Sequence, residues 1–254
     1  MRVRSGVLAA WASAWLAGEA AYDDVLTRVT GSDEPHRVTG APVTAGPDET
    51  VPLGWLLPVL RERSPDGVAV VLPVPGDPRG LPGPGPFTTG ALDAREAVLG
   101  RGLGMVPRIT EHGSALGSRT TCVLWTAYEL ATPAPDPLTV AEAEHDLTAA
   151  TRDAASALAA LDVASWRPEV ADELAKVRRG STPDLPPGHD GRAVRLLAQA
   201  DRLSAVLDLA AADAPGGAVN SAEARARDAA LRPLHTAVRR ARLAAYNAVP
   251  SRHR

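Results

Sequence analysis

Residues 73–86 hold six prolines and four glycines in fourteen positions. Neither a helix nor a central strand accepts that density, because proline removes a backbone donor and glycine offers no side chain to pack. Two further breaks follow. Ala131 to Pro137 contains three prolines, and Pro183, Pro186, Pro187 and Gly188 crowd another short stretch. Regular structure is therefore confined to the segments between them. The break at 131–137 marks a domain boundary. It separates an α+β domain over residues 1–130, carrying the Pro/Gly-rich loop 73–87, from a helical bundle domain over 138–250.

The chain has 254 residues, ample for a buried core. Hydrophobic residues make up 45% and charged residues 22%, which is globular usage and argues against disorder. Aromatics are only 4%, so the core must be built largely from Ala, Leu and Val. Lys176 is the only lysine, so positive charge sits on arginine and lysine chemistry is excluded everywhere else. A net charge of -3 rules out a uniformly basic nucleic-acid binder. The one cysteine, Cys122, excludes an internal disulfide and a Cys-rich metal site. No apolar run is long enough to span a bilayer.

Arg2 and Arg4 precede an apolar stretch from Gly6 to Ala17, which mimics a secretory signal. The preferred reading is an amphipathic helix, since Leu8, Trp11 and Trp15 recur at helical spacing and the pattern resumes at Tyr22, Val25 and Leu26. Residues 31–50 read as loop. Pro52 opens a short helix carrying Trp55, Leu56, Val59 and Leu60, which Pro58 must shorten or kink. Val68 to Leu72 is a continuous apolar run, expected as a strand buried on both faces. Ala91 to Leu99 reads as a helix, and Met105–Thr110 and Arg119–Tyr128 as strands. In the second of these, Thr121, Val123 and Trp125 share one face, and Cys122, Leu124 and Tyr128 the other. A small mixed sheet with helices follows, so the fold class is α+β.

The second half reads as an antiparallel, alanine-rich helical bundle. From Leu138 to Asp162, small and apolar residues recur as Val140, Ala143, Leu147, Ala150, Ala154 and Leu161. A short helix is expected from about Pro168 to Arg179. Leu196, Ala200, Leu203, Leu207 and Ala210 mark another helix. Leu231, Leu234, Val238, Ala241 and Ala245 mark the last, over about Val219 to Ala248, with Pro233 bending it or delaying its start.

Charge in this half is segregated. Arg225, Arg232, His235, Arg239 and Arg242 form a basic face on the last helix, and Glu142, Asp146 and Asp153 an acidic row on the first. The preferred reading is that the rows face one another and set helix order. Each exposed pair then contributes only about 0–1 kcal/mol. The other reading is binding of nucleic-acid phosphates, for which no recognised DNA-binding pattern accompanies the charge.

The loop 73–87 follows an apolar strand, where open α/β sheets place ligand-binding loops. Asp77 and Arg79 could fix a polar ligand, with Phe87 as an apolar wall and His112 as a further polar contributor. The alternative is a rigid connection whose prolines restrict the unfolded chain. There is no Gly-Lys-Ser/Thr phosphate cradle. His145-Asp146 and His189-Asp190 both read His-Asp. In those two dipeptides the helical half resembles the all-helical metal phosphohydrolases, and the resemblance implies metal-assisted hydrolysis. Adjacent helical residues do not face one way, and no histidine pair has i, i+4 spacing, so no metal site is expected. Cys122 reads as a core residue of an apolar strand, and Gly113–Gly117 around Ser114 as a hairpin loop rather than a nucleophile elbow. Glu111 and Glu129, near strand ends, are possible acid and base. The five tryptophans read as anchors of the core or of the seam between the halves.

The first expectation is a non-catalytic, cytoplasmic interaction protein, using its helical surface or the Pro/Gly-rich loop to bind a protein partner or to self-associate. The second is an enzyme or small-molecule binder with its pocket at loop 73–87. The third is nucleic-acid binding through the basic last helix. No cofactor is implied.

Overall fold

The computed structural model describes residues 2–46, 48–113, 119–131, 138–160, 182–212 and 221–248. Its fold class is α+β: seven α-helices and one six-stranded mixed sheet among the described residues. Contacts divide the chain into two compact units. One spans the first half and takes in Asp184–His189 as well; the other holds the long helices.

In the N-terminal unit, helices α1 (Arg4–Leu16) and α2 (Tyr22–Thr30) precede strands β1 (Arg37–Thr39) and β2 (Val51–Pro52). A 3-10 turn over Leu53–Trp55 leads into α3 (Leu56–Arg63). Strand β3 (Ala69–Val71), helix α4 (Pro86–Ala94) and strands β4 (Ala97–Gly100), β5 (Leu103–Gly113) and β6 (Arg119–Glu129) complete the unit. The sheet order is β2-β1-β6-β5-β4-β3, with every neighbouring pair antiparallel except β1 and β6.

Register explains the core. Val70 pairs with Val98, Val98 with Met105, and Met105 with Ala127, so one face carries a continuous buried row. The opposite face presents Val71, Ala97, Leu99 and Val106, which are covered by Phe87 and Ala91 of α4. Val123 and Trp125 of β6 are buried, while Cys122, Leu124 and Tyr128 are half-buried, as the alternation of β6 implies.

Two local readings are corrected here, for α1 and for the segment 91–99, and two are borne out. Helix α1 is not amphipathic: ten consecutive or near-consecutive residues, Ser5 to Ala12 with Ala14 and Trp15, are buried. It lies against α2 and across β3, β4 and β5 as a core element. The run at 68–72 does form a strand, Ala69–Val71, with Val70 and Val71 buried on its two faces, at the edge of the sheet beside antiparallel β4. The segment 91–99 splits, because Arg95 takes a left-handed conformation (φ 59°) that ends α4 and lets Ala97–Gly100 join the sheet. Helix α3 is short, at eight residues, and Pro58 is its third, where its missing N–H has no intrahelical partner to lose.

In the second unit, α5 (Val140–Ala160), α6 (Gly191–Ala212) and α7 (Ser221–Tyr246) share one alanine–leucine core. Ala143, Leu147 and Ala154 of α5 meet Leu196, Ala200 and Leu207 of α6 and Leu234, Val238 and Ala241 of α7. This is the seam that the heptad-like spacing describes. Helix α7 runs antiparallel to α6: Arg227 near its start reaches the Ala210 carbonyl, and Arg242 near its end reaches Asp201. It continues through Pro233. A capping box starts α5. Glu142 N–H donates to Thr139 Oγ1 (3.2 Å) and Thr139 N–H to Glu142 Oε2 (3.0 Å). Asp190 caps α6, its Oδ1 accepting from Ala193 N–H (2.8 Å). The helix expected at 168–179, Ser114, Trp166 and the turn at 215–217 lie outside the described residues.

Candidate interaction surface

The N-terminal unit contains a buried polar array that carries no sequence signature. Arg4 grips Asp33 with two hydrogen bonds, Nε to Oδ2 at 2.6 Å and Nη2 to Oδ1 at 2.9 Å. His36 Nε2 lies 3.3 Å from the same Oδ2, and the Trp125 indole N–H donates to His36 Nδ1 at 3.2 Å. Indole nitrogen can only donate, so Nδ1 is bare and Nε2 carries the proton toward Asp33. Burial holds the His36 pKa below its ordinary value against the opposing pull of Asp33. Burial alone would raise Asp33, but the Arg4 bonds outweigh it and its pKa is lowered. Both imidazole nitrogens are engaged, which leaves none for a substrate. The array is a structural clasp that ties α1 and the α2–β1 connection to β6.

Glu96 is a second buried group. Val3 offers no side-chain cap to α1, and Glu96 supplies one from 91 residues away, its Oε2 accepting from Ser5 N–H at 2.7 Å. Burial raises its pKa, with the bond from Ser5 N–H opposing. Its Oε1 and the Ser5 hydroxyl are buried without a hydrogen-bond partner among the described residues.

The structure disperses the ligand-site residues expected around loop 73–87. Asp77 and Arg79 face one another at 3.4 Å. Phe87 is not a pocket wall. It is 2% exposed in the α4 core, edge-on to Tyr128 at 5.8 Å. His112 is exposed near the far end of β5, six residues beyond the buried Val106, a rise of about 20 Å. Glu111 and Glu129 pair with Arg119 (4.0 Å) and Arg63 (3.0 Å) respectively.

The basic face of α7 divides. Arg242 binds Asp201 of α6 at 2.8 Å rather than the acidic row of α5. The partner of Asp146 is Arg240, at 3.2 Å, a residue outside the expected row. Arg239 is half-buried, whereas Arg225, Arg232 and His235 are exposed. The two His-Asp dipeptides do not converge: His145 is exposed, and Asp146 and Asp190 serve an ion pair and a helix cap. No cluster able to hold a metal ion occurs among the described residues, and no described helix is long and apolar enough to cross a membrane.

The outlying feature is Trp55. Trp11, Trp15 and Trp125 are core residues, but Trp55 is 63% exposed, the most exposed large apolar side chain among the described residues. The cause is local. Leu53, Leu56, Leu57 and Leu60 are all buried, at i, i+3, i+4 and i+7, which turns Trp55 to the opposite side. Tyr22, 41% exposed, lies against Gly54, where a Cβ would collide with its hydroxyl. Tyr22 meets Trp15 edge-on at 6.4 Å, and the Arg61 guanidinium lies 4.0 Å above the Trp15 ring. Pro52 and Pro58 are exposed three residues to either side of Trp55. Trp55 and Tyr22 thus both face solvent, with an exposed proline on either side of Trp55.

The chain matches two family descriptions, "Rv1486c-like protein, N-terminal domain" over residues 5–145 and "Rv1486c-like protein, C-terminal domain" over residues 141–243. It is 32% identical to uncharacterized protein Rv1486c of Mycobacterium tuberculosis (strain ATCC 25618 / H37Rv) across 95% of each chain. It is 30% identical to uncharacterized protein ML1804 of Mycobacterium leprae (strain TN), again across 95% of each. No solved structure matches it.

Proposed function

This chain belongs to the Rv1486c-like protein family, and we propose that it is a non-catalytic interaction protein that binds a protein partner through the surface around Trp55. One observation carries the reading: a tryptophan 63% exposed on a turn whose neighbours Leu53, Gly54 and Leu56 are buried. Exposing a large indole forgoes burial worth about 1.5–3 kcal/mol, the range for a large apolar side chain. Rigid, exposed aromatics are the usual energetic centres of protein interfaces. The titratable cluster of Arg4, Asp33 and His36 is saturated by its own contacts. A cytoplasmic setting suits a chain whose one cysteine, Cys122, is unpaired.

A photo-crosslinking residue at position 55 tests this in the full chain, with position 206, on the exposed side of α6, as the control. The expected result is one discrete adduct from position 55, absent from 206 and lost when Tyr22 is replaced by Ala. Equal, diffuse labelling from both positions would remove the reading.

A further inference from the structure

We infer that Arg2, Trp11 and Arg28 form a recognition site for an extended, acidic, proline-containing segment, and that Asp184–Pro187 of this chain occupies it as a displaceable strap. The residues are not those around Trp55, and the inference does not rest on the reading above. All the contacts lie within the N-terminal unit, to which Asp184–His189 belongs. The Trp11 indole N–H donates to the Asp184 carbonyl at 3.4 Å. The Asp184 carboxylate lies beside two guanidinium groups, Oδ2 at 3.6 Å from Arg2 Nη2 and Oδ1 at 3.8 Å from Arg28 Nη1. Pro186, two residues on, is buried, while Pro187 and Gly188 are exposed. Proline-containing peptides are read by such elements: an aromatic donor for a carbonyl with no internal partner, charges that fix direction, and a proline taken out of water.

The receiving side is fixed by its own contacts. Arg2 Nη1 donates to the Thr30 carbonyl at 3.1 Å and Arg2 Nη2 to the Arg28 carbonyl, so the guanidinium is held on the C-terminal end of α2. Gly31 (φ 59°) leaves room for it, since a Cβ there would collide with Arg2. The Arg28 guanidinium lies 5.4 Å from the Trp11 ring. The strap is shaped by its own sequence. A residue before proline is confined to extended backbone, which applies to Leu185 and Pro186. A turn over Pro187-Gly188 follows, with Gly188 at φ 81° and His189 N–H donating to the Pro186 carbonyl at 3.2 Å. Such a segment loses little freedom on docking and keeps its shape outside the chain. Yet the grip is loose. Asp184 Oδ1 is buried with no hydrogen-bond partner among the described residues, and both guanidinium distances exceed hydrogen-bonding range. Arg4, by contrast, holds Asp33 at 2.6 Å and 2.9 Å. The strap's advantage is its covalent attachment, which presents it at an effective concentration on the order of millimolar. A partner segment with a carboxylate two residues ahead of a proline competes for the same donors.

A fluorescein-labelled peptide with the sequence of residues 182–189, titrated into the full chain and followed by anisotropy, tests this. In Asp184→Lys the strap's own charge is repelled by Arg2 and Arg28, which leaves the site open. The peptide is expected to bind that variant about tenfold or more tighter than the wild type, where it must displace a tethered competitor. Added salt weakens the binding. Arg28→Glu in the same chain weakens it too, as does Asp184→Asn in the peptide. Trp55→Ala leaves it unchanged, so this site and the surface proposed above stand or fall separately. Unchanged far-UV circular dichroism shows that each variant still folds. A second measurement needs no variant. Saturating unlabelled peptide speeds hydrogen exchange of the strap amides in the wild type, read by mass spectrometry on peptic fragments that extend past residue 189. The inference is overturned if Asp184→Lys binds the peptide no better than the wild type does, or if Arg28→Glu leaves the binding unchanged. It is overturned equally if saturating peptide leaves exchange in the strap as it was. Each of these outcomes makes Asp184–Pro187 a fixed connection and not a ligand of its own chain.

Discussion

In the N-terminal unit the ion pair of Arg4 and Asp33 has side chains only 12% and 5% exposed, and Asp33 is shared with a buried histidine. In the helical unit the comparable pair, Arg192 and Glu144, is 50% and 41% exposed, and Arg240 with Asp146 is 29% and 40% exposed. Both units place arginine beside carboxylate at hydrogen-bonding distance. They do so in different surroundings, and the surroundings decide what a pair is worth. A buried pair has lost its water, so removing one member strands the other. An exposed pair exchanges one hydrated state for another. The same contrast runs through helix starts. Helix α5 is capped within its own first turn by Thr139 and Glu142, whereas α1 waits for Glu96 from the far side of the unit. One half is assembled from local rules, the other from contacts that exist only after folding.

The sharpest way to break this contrast is Arg4→Ala. It leaves Asp33 buried with only His36 and the more distant Arg2 as positive or donating neighbours. The expected cost is about 3–5 kcal/mol. Chemical denaturation followed by tryptophan fluorescence reports it, because Trp11, Trp15, Trp55 and Trp125 all belong to this unit. A loss under about 1 kcal/mol would place the pair among surface ion pairs and erase the distinction.

Glu96→Gln sharpens the comparison through pH. The folded pKa of Glu96 lies above its unfolded value of 4.5, so the folded state holds the proton more tightly. Its contribution is fully present below pH 4.5 and is lost as pH rises through the folded pKa. Glutamine keeps an acceptor for Ser5 N–H and adds a donor for the unpartnered Ser5 hydroxyl. The variant should match the wild type in acid and exceed it at neutral pH by about 1–3 kcal/mol, the cost of an unsatisfied buried group. The other two groups run the opposite way. His36, with a lowered pKa, loses stability as pH falls below 6.5, and Asp33 as pH falls below 3.8 toward its folded value. Subtracting the two pH profiles removes both and isolates Glu96. A difference that does not grow with pH would mean the carboxylate is solvated in the folded protein.

Much of the helical unit was legible in the sequence because its information is local. Ala143, Leu147, Leu196, Ala200, Leu234 and Val238 recur at helical spacing, and all are buried in one cluster. Strand β6 was legible for the same reason, its faces alternating as read, whereas β5 was read only over 105–110 and runs on to Gly113. Strands β1, β2 and β4 were not. They are two to four residues long and owe their conformation to partners such as β6 and β5 rather than to any periodicity. The polar array was hidden because Trp125 and His36 are 89 residues apart. Trp55 is different. The buried Leu53, Leu56, Leu57 and Leu60 define a helical stripe that excludes it, yet its residue type had placed it in the core or in the seam between the halves. The spacing of its neighbours carried more information than its hydrophobicity.

The smallest effect tests the bundle's side of the contrast. Arg240 and Asp146 make one contact between the basic helix α7 and the acidic row of α5. Opposed charge rows were expected to order these helices, but Arg242 turns to Asp201 and Glu142 is occupied in its own capping box. What remains to hold α5 against α7 is chiefly Ala143, Leu147 and Ala154 against Leu234, Val238 and Ala241. Arg240→Ala should therefore cost about 0–1 kcal/mol, diminishing as salt is added. Leu147→Ala, in the same helix contact, should cost about 2–5 kcal/mol irrespective of salt. Thermal unfolding followed by circular dichroism at 222 nm, which weights the helices, measures both. If Arg240→Ala proved the costlier of the two, the ion pair and not the alanine–leucine seam would be what orders the helices. The bundle would then depend on its charges as strongly as the N-terminal unit depends on Arg4 and Asp33.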